Sequence, residues 1–150
     1  MSAPETNPNE FRVAAKLPVL AALVALIGLG DAIYLTLHHL TAAPVPCGEA
    51  FDCAQVLTSS YATIAGIPLA AFGALAYFLA FSLAILAVYG NFRAWFLFGV
   101  QTILMSLFTL WLLYLQAFVI EAFCQFCLLS AAVTFTLLTI SIISKFWRSR

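Results

Sequence analysis

Four long apolar stretches limit what this chain can become. They run over about residues 17–40, 64–89, 92–119 and 124–147. A helix needs about 20 mostly apolar residues to cross a bilayer core, and each stretch exceeds that. Residues 75–86 are apolar apart from Ser82 and show no period-two alternation, so they do not read as strands of a membrane barrel. Hydrophobic residues make up 65% of the chain and charged residues 8%, against about 25% charged in a soluble domain. Too little polar surface remains for a cytosolic enzyme, a secreted disulfide scaffold, a disordered tail or a nucleic-acid binder of the basic-patch kind. The expected fold is all-α: an integral membrane four-helix bundle.

The connections are unequal. Gly90 and Asn91 join the second stretch to the third, and residues 120–123 join the third to the fourth, whereas residues 41–63 are long enough to carry structure of their own. That segment holds Pro44, Pro46, Gly48, Glu49, Asp52, Ser59 and Ser60. Residues 1–10 are polar and read as disordered within an N-terminal tail, 1–16, and residues 148–150 form a short C-terminal end. The first stretch is too long for a signal-peptide core and lacks a clear cleavage site, so it is expected to stay attached. With four spans, all six cations (Arg12, Lys16, Arg93, Lys145, Arg148 and Arg150) fall on one side. The positive-inside rule makes that side cytoplasmic. Both termini are then cytoplasmic in a multi-pass cell membrane protein, and residues 41–63 and 120–123 face the periplasm or exterior.

The four cysteines all fall toward that outer face. Cys47 and Cys53 lie in the long loop, and Cys124 and Cys127 form a Cys-x-x-Cys pair opening the last span. Disulfides persist in such a compartment. Residues i and i+3 share a helix face, and a helix N-terminus favours a thiolate. The inner pair therefore suits thiol–disulfide exchange, and the loop pair, expected to be flexible and exposed, suits contact with a soluble protein. Two structural disulfides, or one zinc site with four thiolate ligands, remain open from spacing. Zinc is the weakest of these, because the outer face is oxidising and the second pair sits at the lipid edge.

Longer motifs carry a resemblance. Gly30-Asp-Ala-Ile-Tyr-Leu-Thr in the first span, the Cys47 and Cys53 pair, Val56-Leu-Thr-Ser-Ser-Tyr-Ala-Thr-Ile-Ala-Gly-Ile-Pro68, and the Cys124 and Cys127 pair follow one another in this order. Over about residues 17–145 the chain resembles the vitamin K epoxide reductase family in its short prokaryotic form. The resemblance implies a four-helix bundle around a quinone (ubiquinone, menaquinone or vitamin K), partly capped by the long loop. It implies that Cys47 exchanges with an extracytoplasmic thioredoxin-fold thiol protein, Cys53 passes electrons to Cys124, and Cys127 faces the quinone ring. Ser59 matches a family hydroxyl near the pocket. Many members carry a fused thioredoxin-like domain; here the partner is expected to be a separate protein. Some animal members have a tyrosine where this chain has Ala131, which favours plain quinone reduction over epoxide reduction. The quinone-linked disulfide oxidase of the bacterial periplasm places its two pairs in the opposite order.

Other residues carry weaker signals. Asp31 lies about nine residues, or about 13 Å, below the outer end of the first span, where a carboxylate is a candidate for quinone chemistry or a hydrogen-bonded interior group. Trp111 is a candidate for the pocket wall. Tyr114, Trp95 and Trp147 read as interfacial anchors, and His38 and His39 as a polar span end or a proton source. Gly66, Ala70, Gly73 and Ala74 read as one small-residue packing face, with Pro68 in the first turn of the second span. The chain is thus expected to be a thiol:quinone oxidoreductase supporting disulfide formation, the alternatives being a vitamin K quinone or epoxide reductase and a non-enzymatic four-span protein with a disulfide-braced loop.

Overall fold

The computed structural model describes residues 8–149. Helix α1 spans Pro8–Leu40, α2 Cys53–Leu57, α3 Leu69–Val88, α4 Phe92–Tyr114 and α5 Gln125–Arg148. A π-helical turn, Leu115–Val119, extends α4. Two short strands, β1 Thr63–Ile64 and β2 Ile67–Pro68, pair antiparallel. Four helices are long and apolar enough to cross a membrane: Lys16–Leu40, Leu69–Val88, Phe92–Val119 and Gln125–Trp147. The all-α membrane bundle expected from the four apolar stretches is therefore what forms.

Each long helix packs against two others: α1 and α4 each against α3 and α5. Small residues set the closest approach. Ala21, Ala22, Ala25 and Ala32 of α1 are buried with Ala80 and Ala84 of α3. In lipid, where water drives no helix together, close van der Waals packing and interhelical hydrogen bonds must do so. Tyr77 on α3 supplies such bonds. Its hydroxyl donates to the Ser130 carbonyl at 2.8 Å and lies 2.8 Å from the hydroxyls of both Ser130 and Thr134 on α5. Gly28 of α1 makes room for that ring, because a methyl group there would overlap its carbons. Large apolar side chains such as Leu75, Phe96 and Leu104 point outward instead, at 68%, 64% and 62% exposure. A surface of that kind suits hydrocarbon rather than water.

Several expectations need correction. The second membrane helix begins at Leu69 rather than near residue 64. Ala65 and Gly66, at φ 51° and 81°, make the tight turn of the β1–β2 hairpin. Positive φ at both central residues matches the twist of paired strands. Gly66 therefore serves a turn and not a packing face, and Pro68 caps α3 from outside it. Trp95 is not a simple interfacial anchor: its indole N–H donates to Ser144 Oγ at 2.7 Å and its ring stacks on buried Phe98. The disordered tail expected over residues 1–10 lies outside the described residues up to residue 7, and residues 8–10 open α1. At the opposite end of the bundle from the cysteines, only Tyr89, Gly90 and Asn91 join α3 to α4. There the Asn91 side chain accepts from the Ala94 amide at 3.2 Å and caps α4.

Gly28→Ala should lower the stability of the detergent-solubilised protein by about 1–3 kcal/mol, because it overpacks the α1–α3 contact. Gly30→Ala, where an added methyl meets nothing within 4 Å, should be neutral or mildly stabilising. Parallel thermal unfolding of the two variants tests this.

Candidate functional site

The chain leaves α1 through a turn in which Ala43 N donates to His38 O at 3.1 Å. It then crosses the end of the bundle as residues 44–52 and re-enters helix at α2. Asp52 caps α2 by accepting from the Gln55 amide at 3.0 Å. Cys53 follows in its first position and is 1% exposed. The sequence suggested a flexible, exposed cysteine loop; residues 48–52 are exposed, but Cys53 is buried and the loop is hydrogen-bonded to the bundle. Asp52 N donates to Phe123 O at 3.0 Å, Gln55 Nε2 to Ile120 O at 3.0 Å, and Gly48 N to Gln125 Oε1 at 3.2 Å. These bonds tie the loop to the connection between α4 and α5. Cys53, Val56, Ala122 and Cys124 form a small buried apolar cluster beneath it. Backbone polar groups at a bundle end need partners, and the facing connection provides them.

Cys47 and Cys53 form a disulfide with their Cα atoms 6.1 Å apart. Cys124 and Cys127 are free thiols. The sulfurs of Cys47, Cys53 and Cys124 lie within 4.8 Å of one another. The loop disulfide therefore rests directly against the inner pair.

Cys124 caps α5 in extended conformation, with φ −108° and ψ 123°, so that its side chain sits at the helix N-terminus. Its backbone N–H donates to Gln116 Oε1 at 3.2 Å. Gln116 is buried in the π-helical turn, and the widened turn belongs to the same segment that presents this amide. Such π insertions often mark functional positions. The Cys127 thiol hydrogen-bonds Cys124, and this is the main reason the Cys124 thiol is drawn down to about 7. The backbone amides of Cys127 and Phe126 help, while burial acts against it.

A cavity of about 240 Å³ opens below this sulfur cluster. Cys127 forms part of its wall. Leu35, Phe72, Met105, Phe108 and Leu112 give it an apolar lining. Ser59 and Asp31, both singled out from sequence, also line it, as do His39 and Ala131. Ser59 Oγ donates to Val56 O at 2.7 Å within the loop. Trp111 is a correction: it is not among the lining residues, is 48% exposed, and packs on Phe108 at 5.5 Å between ring centroids. One residue along a helix turns a side chain by about 100°, so its neighbour Leu112 lines the cavity while Trp111 faces out. Gln116 and Tyr77 line the cavity but were not singled out from sequence. Their signal was present, because a buried polar side chain within an apolar span is uncommon.

The arrangement couples a disulfide, an acidified thiol and a second thiol facing an apolar chamber. Its chemical capacity is two-electron exchange between sulfur pairs, with an outlet into the bundle interior. Residues 19–142 match the model of the vitamin K epoxide reductase family.

With the loop disulfide intact, thiolate absorbance in the ultraviolet should rise through a midpoint near the Cys124 value of about 7. Below that pH Cys124 is a neutral, unreactive thiol, and above it a thiolate. Cys127→Ala removes the donor and should move the midpoint up toward the ordinary cysteine value of about 8.5. A spectrophotometric pH titration of both proteins measures it.

Proposed function

The chain belongs to the vitamin K epoxide reductase family, and on that premise we propose that it is a quinone-coupled thiol oxidoreductase. It takes electrons from a separate thioredoxin-fold protein on the extracytoplasmic side and delivers them to a membrane quinone, which keeps the partner oxidised for disulfide formation. The observation that carries this reading is the contact of the Cys47–Cys53 disulfide with Cys124, continued through Cys127 into the cavity wall.

The exchange balances at each step. A partner thiolate attacks Cys47 Sγ and breaks the Cys47–Cys53 bond. The partner's second thiol then displaces Cys47, leaving the partner oxidised and the loop pair reduced. Cys53 attacks Cys124 of an inner disulfide and releases Cys127. Cys47 closes on Cys53, which frees Cys124. The product has a bonded loop pair and two inner thiols, the arrangement found in the structure. Thiolate attack on a disulfide sulfur needs only access and a competent thiolate, and the Cys124 thiol at about 7 is suited to leave and to attack.

The residues present fit a quinone. The cavity is lined mostly by aliphatic and aromatic side chains, with few polar atoms, as is usual for small-molecule sites. A bound quinone supplies an acceptor for two electrons and two protons. Cys127, in the cavity wall, would face that ring, and Cys124 would close on Cys127 as the pair gives up its two electrons. The absence of a hydroxyl at Ala131 supports quinone over epoxide reduction.

The cytoplasmic placement of the tail 1–16 and of residues 148–150, and the outward placement of the cysteines, are part of the same proposal. It is supported by the six cations assigned to the end opposite the sulfur cluster. After mild reduction, a membrane-impermeant maleimide applied to intact spheroplasts should label Cys47. Labelling from inverted vesicles alone would reverse the topology.

In a reconstituted assay, Cys127→Ser should reduce quinone turnover by at least about 10²-fold. Cys47→Ser should block partner oxidation but still let a small dithiol feed the inner pair. The double variant Cys47→Ser/Cys127→Ser should accumulate a Cys53–Cys124 bridge, detected by non-reducing mass spectrometry. Two inert bridges and unchanged turnover would instead indicate a braced scaffold.

A further inference from the structure

Asp31 is the one carboxyl group in the cavity wall. It is 8% exposed, and both oxygens are buried with no hydrogen-bond partner among the described residues. Apart from Gln101 Oε1, whose amide nitrogen donates to Ala76 O at 2.6 Å, the other buried polar groups nearby are satisfied. Ser106 donates to Thr102 O at 2.7 Å, Thr102 to Gly99 O at 2.9 Å, and the Tyr77 hydroxyl is engaged by Ser130 and Thr134. An unpaired ionised carboxylate is expensive to hold in such a place, and the neutral acid costs far less. The acid form carries one O–H donor and an acceptor oxygen, and here no protein group takes up either, in a residue that lines the cavity.

The titratable groups around it are few. Tyr77 faces it from α3, Cys124 and Cys127 from the start of α5, and Tyr61 lines the same cavity from the loop before β1. His39 lies further along α1 on the same cavity wall. From α4 and its π-helical turn the lining includes Met105, Phe108, Thr109, Leu112 and Gln116, none of them charged.

We propose that Asp31, as the carboxylic acid, hydrogen-bonds an oxygen of the quinone in this cavity and delivers a proton to it during reduction. This deepens the quinone-linked reading above and rests on it. The proton balance closes within the site. Counted from the neutral dithiol, formation of the Cys124–Cys127 bond releases two electrons and two protons, and the quinone takes both electrons and both protons; when Cys124 has already ionised, its proton returns from solvent. Asp31 gives one proton to a quinone oxygen and regains one from the thiol pair, ending as it began. Neither Tyr77, whose hydroxyl is already engaged, nor Ala131 can do this.

The test compares full-length wild type, Asp31→Asn and Asp31→Leu in detergent or liposomes, with a short-tailed ubiquinone as probe. Asn keeps a donor but cannot transfer a proton, whereas Leu loses both functions. Since the carboxyl has no protein partner, both variants should unfold thermally at or above the wild-type temperature. Binding of the oxidised probe, read by tryptophan fluorescence, should change less than about 3-fold in Asn and weaken by about 10-fold in Leu, the size of one lost hydrogen bond. The kcat should fall by about 10²-fold in both, as for loss of a positioned proton donor. In infrared spectra, a protonated-carboxyl C=O band should shift when the probe binds wild type and be missing from both variants.

Wild-type kcat in either variant, or a carboxyl band indifferent to the probe, would overturn the assignment. So would a drop in thermal stability with unchanged probe affinity, which would make Asp31 a packing residue. The underlying reading fails separately: quinone reduction would then survive in Cys127→Ser, whatever Asp31 does.

Discussion

A main-chain hydrogen bond, from the Asp52 amide to the Phe123 carbonyl, does more to organise this molecule's chemistry than any side chain. It joins two segments far apart in sequence and fixes the height of the loop over the bundle. Gln55 and Gln125 then bracket it on either side. Three such bonds act together to hold the loop against the bundle end. Because the loop lies down, Cys53 is buried and its disulfide is pressed against Cys124. A loop free to wander would make the same exchange a matter of chance encounter.

Around that contact the two inner cysteines divide their work. Cys124 occupies a helix cap, where backbone amides and the Cys127 thiol favour negative charge on sulfur. Cys127, one turn further on, faces the apolar chamber. One sulfur thus meets the disulfide above and the other meets the interior below. The helix N-terminus, the i, i+3 spacing and the cavity are separate features of the chain, and they become one path only because the loop closes the upper side.

Much of this was legible in the residues. The four spans follow from a rule without many alternatives: in lipid, backbone groups must be satisfied within the segment, so long apolar runs become helices. The grouping of Cys47, Cys53, Cys124 and Cys127 at one end follows from counting spans. The start of α3 was less legible, since Ile64 to Pro68 is apolar enough to read as span, and only the paired positive φ of Ala65 and Gly66 turns it into a hairpin. Loop docking was not legible at all. It depends on amides and carbonyls, which every residue has and no sequence pattern marks. Trp111 illustrates the same difficulty for side chains in lipid: a helix apolar on all sides has no polar face to reveal which way it points. Gln116 and Tyr77 could have been noticed, as polar atoms in apolar spans, although their specific partners could not.

The Tyr89–Asn91 link bears on how such a molecule can move. Three residues cannot let α3 and α4 separate far where they join, whereas the far ends of the same helices are connected to their neighbours through longer segments. Any breathing of the bundle is therefore that of a pair of tongs, pinned at the cation-bearing end and free at the sulfur-bearing end. Entry and exit of a lipid-borne molecule would be a widening at the tips, a motion that also strains the hydrogen-bonded clasp between loop and bundle. Admission of the guest and the spacing of the sulfurs are then two readings of one mechanical coordinate.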